Sequence, residues 1–201
     1  VTDGTEANKQ LYLSNGQTLD RIDPVSTNDN TTASTTILQL GGTETVAVQS
    51  ISSNTLNNVT SISVSHEVIA SSNRLLMVGI SFRRDGGDNL AVNSVTYGGA
   101  AMTLVGNTSN QENKVDIYRL VNPPVGTANV SASFSQQVDD GVILGAVSFS
   151  GVNQTTPLGT YVGNTGDSNT PSVTVSSATG ELVFDVMASH NIGEDPQTPG
   201  T

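Results

Sequence analysis

Two histidines, His66 and His190, are the side chains whose ordinary pKa suits proton transfer at neutral pH. His66 ends the alternating stretch Ser61–Ser65 and precedes Glu67, while His190 follows the apolar run that starts at Leu182. A serine hydrolase of the Gly-x-Ser-x-Gly kind needs an elbow that the chain lacks, and Ser148-Phe149-Ser150-Gly151 reads as a strand end. The chain has no Cys, so thiol catalysis and zinc knuckles are excluded. Oxygen ligation of a hard cation is the chemistry these residue types suit best. Asp85-Gly86-Gly87-Asp88-Asn89 sets two carboxylates and an amide about a Gly turn, and Asp139-Asp140-Gly141 is a second acidic turn. Neither fits the twelve-residue EF-hand loop with its terminal Glu. Asp and Asn are also the ordinary residues of solvated turns. If calcium binds, Asp85 and Asp88 are its expected ligands.

Glycosidases pair two acids in a cleft lined by aromatic platforms, yet aromatic residues make up 4% of this chain and Trp is absent. Tyr97, Tyr118, Phe82, Phe134, Phe149 and Phe184 all fall within strand patterns, where a core role is expected. Five Asn-x-Ser/Thr sequons, at Asn30, Asn58, Asn107, Asn129 and Asn153, accord with chance in so Asn- and Thr-rich a chain. Lys9 and Lys114 are the two lysines available for an isopeptide cross-link. No enzymatic activity is expected.

The elements that would position these residues are strands. Arg74–Phe82 is an apolar run of strand length, suited to burial on both faces or to the centre of a sandwich sheet. Val130, Ala132 and Phe134 alternate with Ser131 and Ser133, and Ile62 and Val64 flank Ser63, as in strands with one dry face. Val173-Thr174-Val175 has the same alternation, predicting a strand over Val173–Ser176. No helical apolar stripe occurs. Gly98-Gly99 predicts a tight hairpin, and Pro123-Pro124 a loop at a sheet end. The turn spacing predicts about nine or ten strands from residue 46 onward.

Residues 1–45 differ. Leu11-Tyr12-Leu13 and Thr36-Ile37-Leu38-Gln39-Leu40 are short strand candidates separated by a polar stretch containing Asp20, Asp23 and Asp29. A connection of that length is unusual inside a compact domain. The expected organisation is an extended arm over 1–45 and an antiparallel β-sandwich, jelly-roll or immunoglobulin-like, over 46–201. A lone strand after a polar linker must pair with a sheet edge, its own or a neighbour's. Thr36–Leu40 is the expected inserting strand.

Four stretches carry a resemblance: Asn93–Thr103 with Tyr97-Gly98-Gly99, Ile117–Thr127 with Asn122-Pro123-Pro124, Gly145–Leu158 with Phe149-Ser150-Gly151-Val152, and Gly180–Asp185. Together, over roughly residues 60–190, they resemble a β-sandwich module that recurs in large secreted and surface proteins of bacteria. The resemblance implies no catalytic residue. In similar sequences the pattern continues past a Thr-Pro-Gly stretch into further strands with a Trp, so the resemblance implies that the final strands are absent here or supplied by a neighbour.

Composition sets the functional limits. The chain of 201 residues contains 25 Thr, 24 Ser and 19 Asn, and its formal charge is −11. That charge argues against nucleic acid and against anionic membrane surfaces, both of which need clustered Lys and Arg. No apolar run reaches the roughly 18 residues of a spanning helix. Cysteine-free, Thr/Asn-rich and lysine-poor, the chain fits the exterior of a prokaryotic cell, its leader already removed. The expected role is a non-catalytic subunit or domain of a surface fibre, appendage or adhesin, partnered by itself or another surface protein. The competing expectation is a glycan-binding module of a larger secreted enzyme.

Overall fold

The computed structural model describes residues 33–38, 45–84, 89–110, 113–166 and 172–188. They form twelve strands and, among the described residues, no helix: β1 (Ala33–Leu38), β2 (Ala47–Leu56), β3 (Val59–Val68), β4 (Leu75–Arg83), β5 (Val92–Tyr97), β6 (Ala100–Ala101), β7 (Thr103–Ser109), β8 (Asn113–Val121), β9 (Gly126–Val138), β10 (Val142–Ser150), β11 (Tyr161–Gly163) and β12 (Leu182–Met187). Eleven of these follow residue 46, slightly more than the turn spacing predicts, because short pieces such as Ala100–Ala101 and Tyr161–Gly163 pair as strands. Residues 172–178 are not a strand. Val173 and Val175 are half-buried around exposed Thr174, so the period is present, but among the described residues no strand pairs with this segment.

The strands build three antiparallel sheets. A five-stranded sheet has the order β2-β10-β4-β8-β7, a four-stranded sheet β3-β9-β5-β6, and a three-stranded sheet β11-β1-β12. The five-stranded sheet lies between the other two, which makes the fold sandwich-like with an added layer. Alternation along β4 explains the stacking. Leu76, Val78, Ile80 and Phe82 join Ile62, Val95, Val130 and Phe134 of the four-stranded sheet in one core. Leu75 and Met77 join Leu182 and Phe184 of β12 in a second core on the opposite face. β10 divides in the same way, with Leu144 and Ala146 on one side and Val147 and Phe149 on the other. Both strands therefore read as continuous apolar runs, because both faces are dry.

Turn chemistry matches local sequence. Gly98 and Gly99 both have positive φ, 55° and 87°, as the tight hairpin between β5 and β6 requires. At the sheet end, Arg74 fixes the Pro-Pro loop: its Nε donates to the Pro123 carbonyl at 3.1 Å and its Nη2 to Asn122 Oδ1 at 2.7 Å.

Gly79 lets the third layer approach. A β-carbon there would collide with a methyl of Val186 on β12. At Gly106 on β7, a β-carbon would lie 2.5 Å from the ring of Tyr161 on β11. Gly79→Ala is expected to cost about 2 kcal/mol by overpacking this interface. Adding Val186→Ala should restore part of the loss, so that the double variant is more stable than the sum of the two single changes. Urea unfolding of the three variants checks this.

Candidate functional site

His66 sits where the two larger sheets meet at one edge. The β2–β3 connection turns through Asn57 and Asn58, the latter at φ 55°, and carries the chain from the five-stranded to the four-stranded sheet. Side chains of β2 bridge the gap. Ser52 Oγ lies 2.8 Å from His66 Nδ1, and Ser50 Oγ lies 3.3 Å from His66 Nε2. Ser50 Oγ also donates to the Glu67 carbonyl and lies 2.9 Å from Ser148 Oγ on β10. Further along, Asn54 Nδ2 donates to the Ser63 carbonyl at 2.8 Å.

Proton counting assigns the tautomer. Ser50 has one hydroxyl hydrogen, which goes to the Glu67 carbonyl, so Ser50 accepts from Nε2–H. Nδ1 is then the acceptor for the Ser52 hydroxyl. The ring is 2% exposed and stands edge-on to Tyr97, centroids 6.3 Å apart. Burial lowers the His66 pKa to about 4 and raises that of Tyr97. Tyr97 Oη donates to the Gly126 carbonyl at 2.5 Å.

Serine hydroxyls contact both ring nitrogens, which superficially resembles a hydrolytic dyad. Its electrostatics differ from those of a triad. The atom opposite Nδ1 is a hydroxyl, where a triad carries a carboxylate that stabilises the imidazolium. A histidine held neutral down to about pH 4 is a weak base at neutral pH. The group is better suited to joining two sheets than to moving protons. Sequence reasoning found His66 but not Ser50, Ser52 or Ser148. The signal available was the period-two row Ser50, Ser52, Asn54, an alternating polar row opposite a strand that carries a histidine.

A second polar group lies inside the main core. Lys114, Asp116 and Tyr118 are spaced by two along β8, and partly buried Leu120 at the next such position packs against that core, as does Tyr118 itself. Lys114 Nζ is 3.5 Å from Asp116 Oδ1 and 5.9 Å from the Phe82 ring centroid. Asp116 is 3% exposed, and its Oδ1 receives no hydrogen bond. Burial raises its pKa against the opposing pull of Lys114. Burial, with the nearby Asp116 charge, pushes Tyr118 up to about 12.

The other sequence-derived candidates divide into placed and unplaced residues. Thr36, Ile37 and Leu38 lie in β1, opposite Phe184, Val183 and Leu182 of β12, and Thr36 also opposite Tyr161 of β11. Gln39, Leu40, Asp85, Asp88, His190 and the stretch Leu11–Leu13 lie outside the described residues. In the acidic turn after β9, Asp140 pairs with Arg83 at 2.8 Å and Asp139 accepts from Gln137 at 2.6 Å. Those carboxylates thus have protein partners. Among the described residues no group of three or more His, Asp or Glu side chains could hold a metal ion, and no helix is long and apolar enough to cross a membrane.

Comparison with protein-family models, with curated proteins and with solved structures finds no match to this chain.

Breaking the interior ion pair by Lys114→Met is expected to cost about 3 kcal/mol at neutral pH, since a buried carboxylate loses its cation. The loss should shrink at mildly acidic pH. A carboxyl whose folded pKa is raised favours the folded state while protonated and loses that contribution as pH rises through the folded value. Lys114→Met with Asp116→Leu should match or exceed the parent. Urea unfolding at the two pH values checks each point.

Proposed function

We propose that this chain is a non-catalytic structural protein of the cell exterior, a subunit or domain of a surface fibre, appendage or adhesin that assembles by β-strand addition through residues 1–45. The observation that carries this reading is the position of β1. It stands between β11 and β12, antiparallel to both, and those partners lie more than 120 residues further along the chain. A slot built entirely from the C-terminal part of the domain can receive the same strand from its own chain or from a neighbour. The second option yields head-to-tail addition, which is heterologous and propagates as an open filament.

Strand order supports a jelly roll for the two larger sheets. Taken from β2 onward, one sheet contains the run β2-β10-β4-β8, with β7 added beyond β8, and its partner runs β3-β9-β5-β6; the chain crosses between them at every step except β5–β6 and β7–β8, much as in that architecture. Jelly rolls serve both capsid-like assembly and lectin function. The glycan-binding reading has less support. Tyr97, Tyr118, Phe82, Phe134, Phe149 and Phe184 are buried at 8% exposure or less, so they offer no platform for stacking sugar rings.

Deletion of residues 1–45 tests the proposal. Electron microscopy of the full chain is expected to reveal filaments. The shortened chain, lacking the central strand of its smallest sheet, should be monomeric by sedimentation but less stable than the full chain, and should regain stability on binding a synthetic peptide spanning Ala33–Leu38. A full-length monomer that does not assemble, together with global unfolding of the deletion variant, would overturn it.

A further inference from the structure

We propose that His66 is an acid-responsive latch between the two larger sheets, closing the β2–β3 edge while its ring is neutral and releasing that edge when the ring gains a proton. The geometry of the edge makes a latch necessary. β2 belongs to one sheet and β3 to the other, and no backbone ladder runs between them. The closure consists of side-chain bonds, and His66 receives or gives two of them.

Protonation reverses the Nδ1 contact and leaves Nε2–H a donor to Ser50. The neutral ring donates from Nε2 to Ser50 and accepts at Nδ1 from Ser52. A proton on Nδ1 turns that atom into a donor facing a hydroxyl that was itself donating, so Ser52 must rotate and give up its acceptor. The added charge has no counter-ion in the site. β2 presents Ser50 and Ser52, β10 presents Ser148, and β9 places Ala128 at the register position of His66. β5 presents Tyr97, which is neutral at these pH values. On β3 itself the charged neighbour is Glu67, exposed to solvent at the next position along the strand. An imidazolium in this pocket is therefore stabilised by little except water, and water reaches it only if the edge opens.

The pH window follows from the folded and unfolded states. The folded pKa, about 4, lies below the ordinary 6.5 of the unfolded or opened state. The latch is fully effective above pH 6.5 and weakens progressively as pH falls toward 4. Opening would expose the buried end of the main core, where Val68 and Tyr97 lie near the ring, and would free the adjoining rims of β2 and β3 for new pairing. The device does not depend on how the molecule assembles.

An NMR titration of the full chain, with hydrogen exchange read at each pH, tests this. The two histidines make the ring signals few, and His66→Gln identifies which belongs to His66. The His66 ring is expected to titrate near pH 4. Over the same range, and after correction for intrinsic exchange, those amides of residues 50–54 and 63–67 that are not bonded to β10 or β9 should lose roughly a hundredfold in protection, while β4 stays protected. His66→Gln keeps a neutral amide at the site and should flatten this response. Ser52→Ala removes the donor to the neutral ring and should move the transition to higher pH, which keeps the test open if His66→Gln fails to fold. An ordinary His66 pKa with an unchanged edge overturns the proposal. So does loss of protection in His66→Gln that parallels the parent, or a Ser52→Ala transition that does not move.

Discussion

The fold depends on a five-stranded sheet that cannot tolerate water on either face. β4 and β10 are apolar at both odd and even positions, and a strand of that kind is stable only when each face is covered. One face is covered by the four-stranded sheet through Ile62, Val95, Val130 and Phe134. The opposite face requires a second cover, and Leu182 and Phe184 of β12 supply it together with partly buried Tyr161 and Val186. The smallest sheet is thus a necessity of the largest. β1 is the strand that holds this cover together, since β11 and β12 pair with it and not with one another.

Polar groups occur where this layering ends or is interrupted. At the β2–β3 edge, the two sheets part and apolar packing gives way to serine hydroxyls around a neutral histidine. At β8, a lysine and an aspartate share the interior with aromatic rings, an arrangement that offsets two desolvation costs against one close contact. Both groups have pKa values moved by burial first and by neighbouring charges second or not at all. Such shifts arise when groups are buried for structural reasons, and they also make the protein responsive to pH.

A strand that completes a layer from the far end of the chain links stability to assembly. Supplied internally, it closes the monomer. In the proposed assembly, the same strand supplied by a neighbour would make these contacts across a molecular boundary, so fold and assembly would draw on energetics of one kind. A formal charge of −11 and only two lysines limit unspecific association between copies of the chain.

Much of the fold was legible in the sequence. The apolar run at 74–82, the Ser-Val alternations, Gly98-Gly99 and Pro123-Pro124 determined strands, a hairpin and a sheet-end loop, because period and turn preference act over a few residues. The strand expected over Val173–Ser176 did not form, for a strand needs a partner that no local pattern can supply. The same limit applies to the polar sites. His66 was visible as a residue, but Ser50, Ser52 and Ser148 come from β2 and β10, and only tertiary structure brings them to the ring. Lys114 and Asp116 read as an ordinary charged pair along a strand until the opposing sheet buries them. Local sequence determined which segments are strands and which of their faces are apolar. Tertiary structure alone decided which faces meet, because burial and pairing depend on residues distant in the chain.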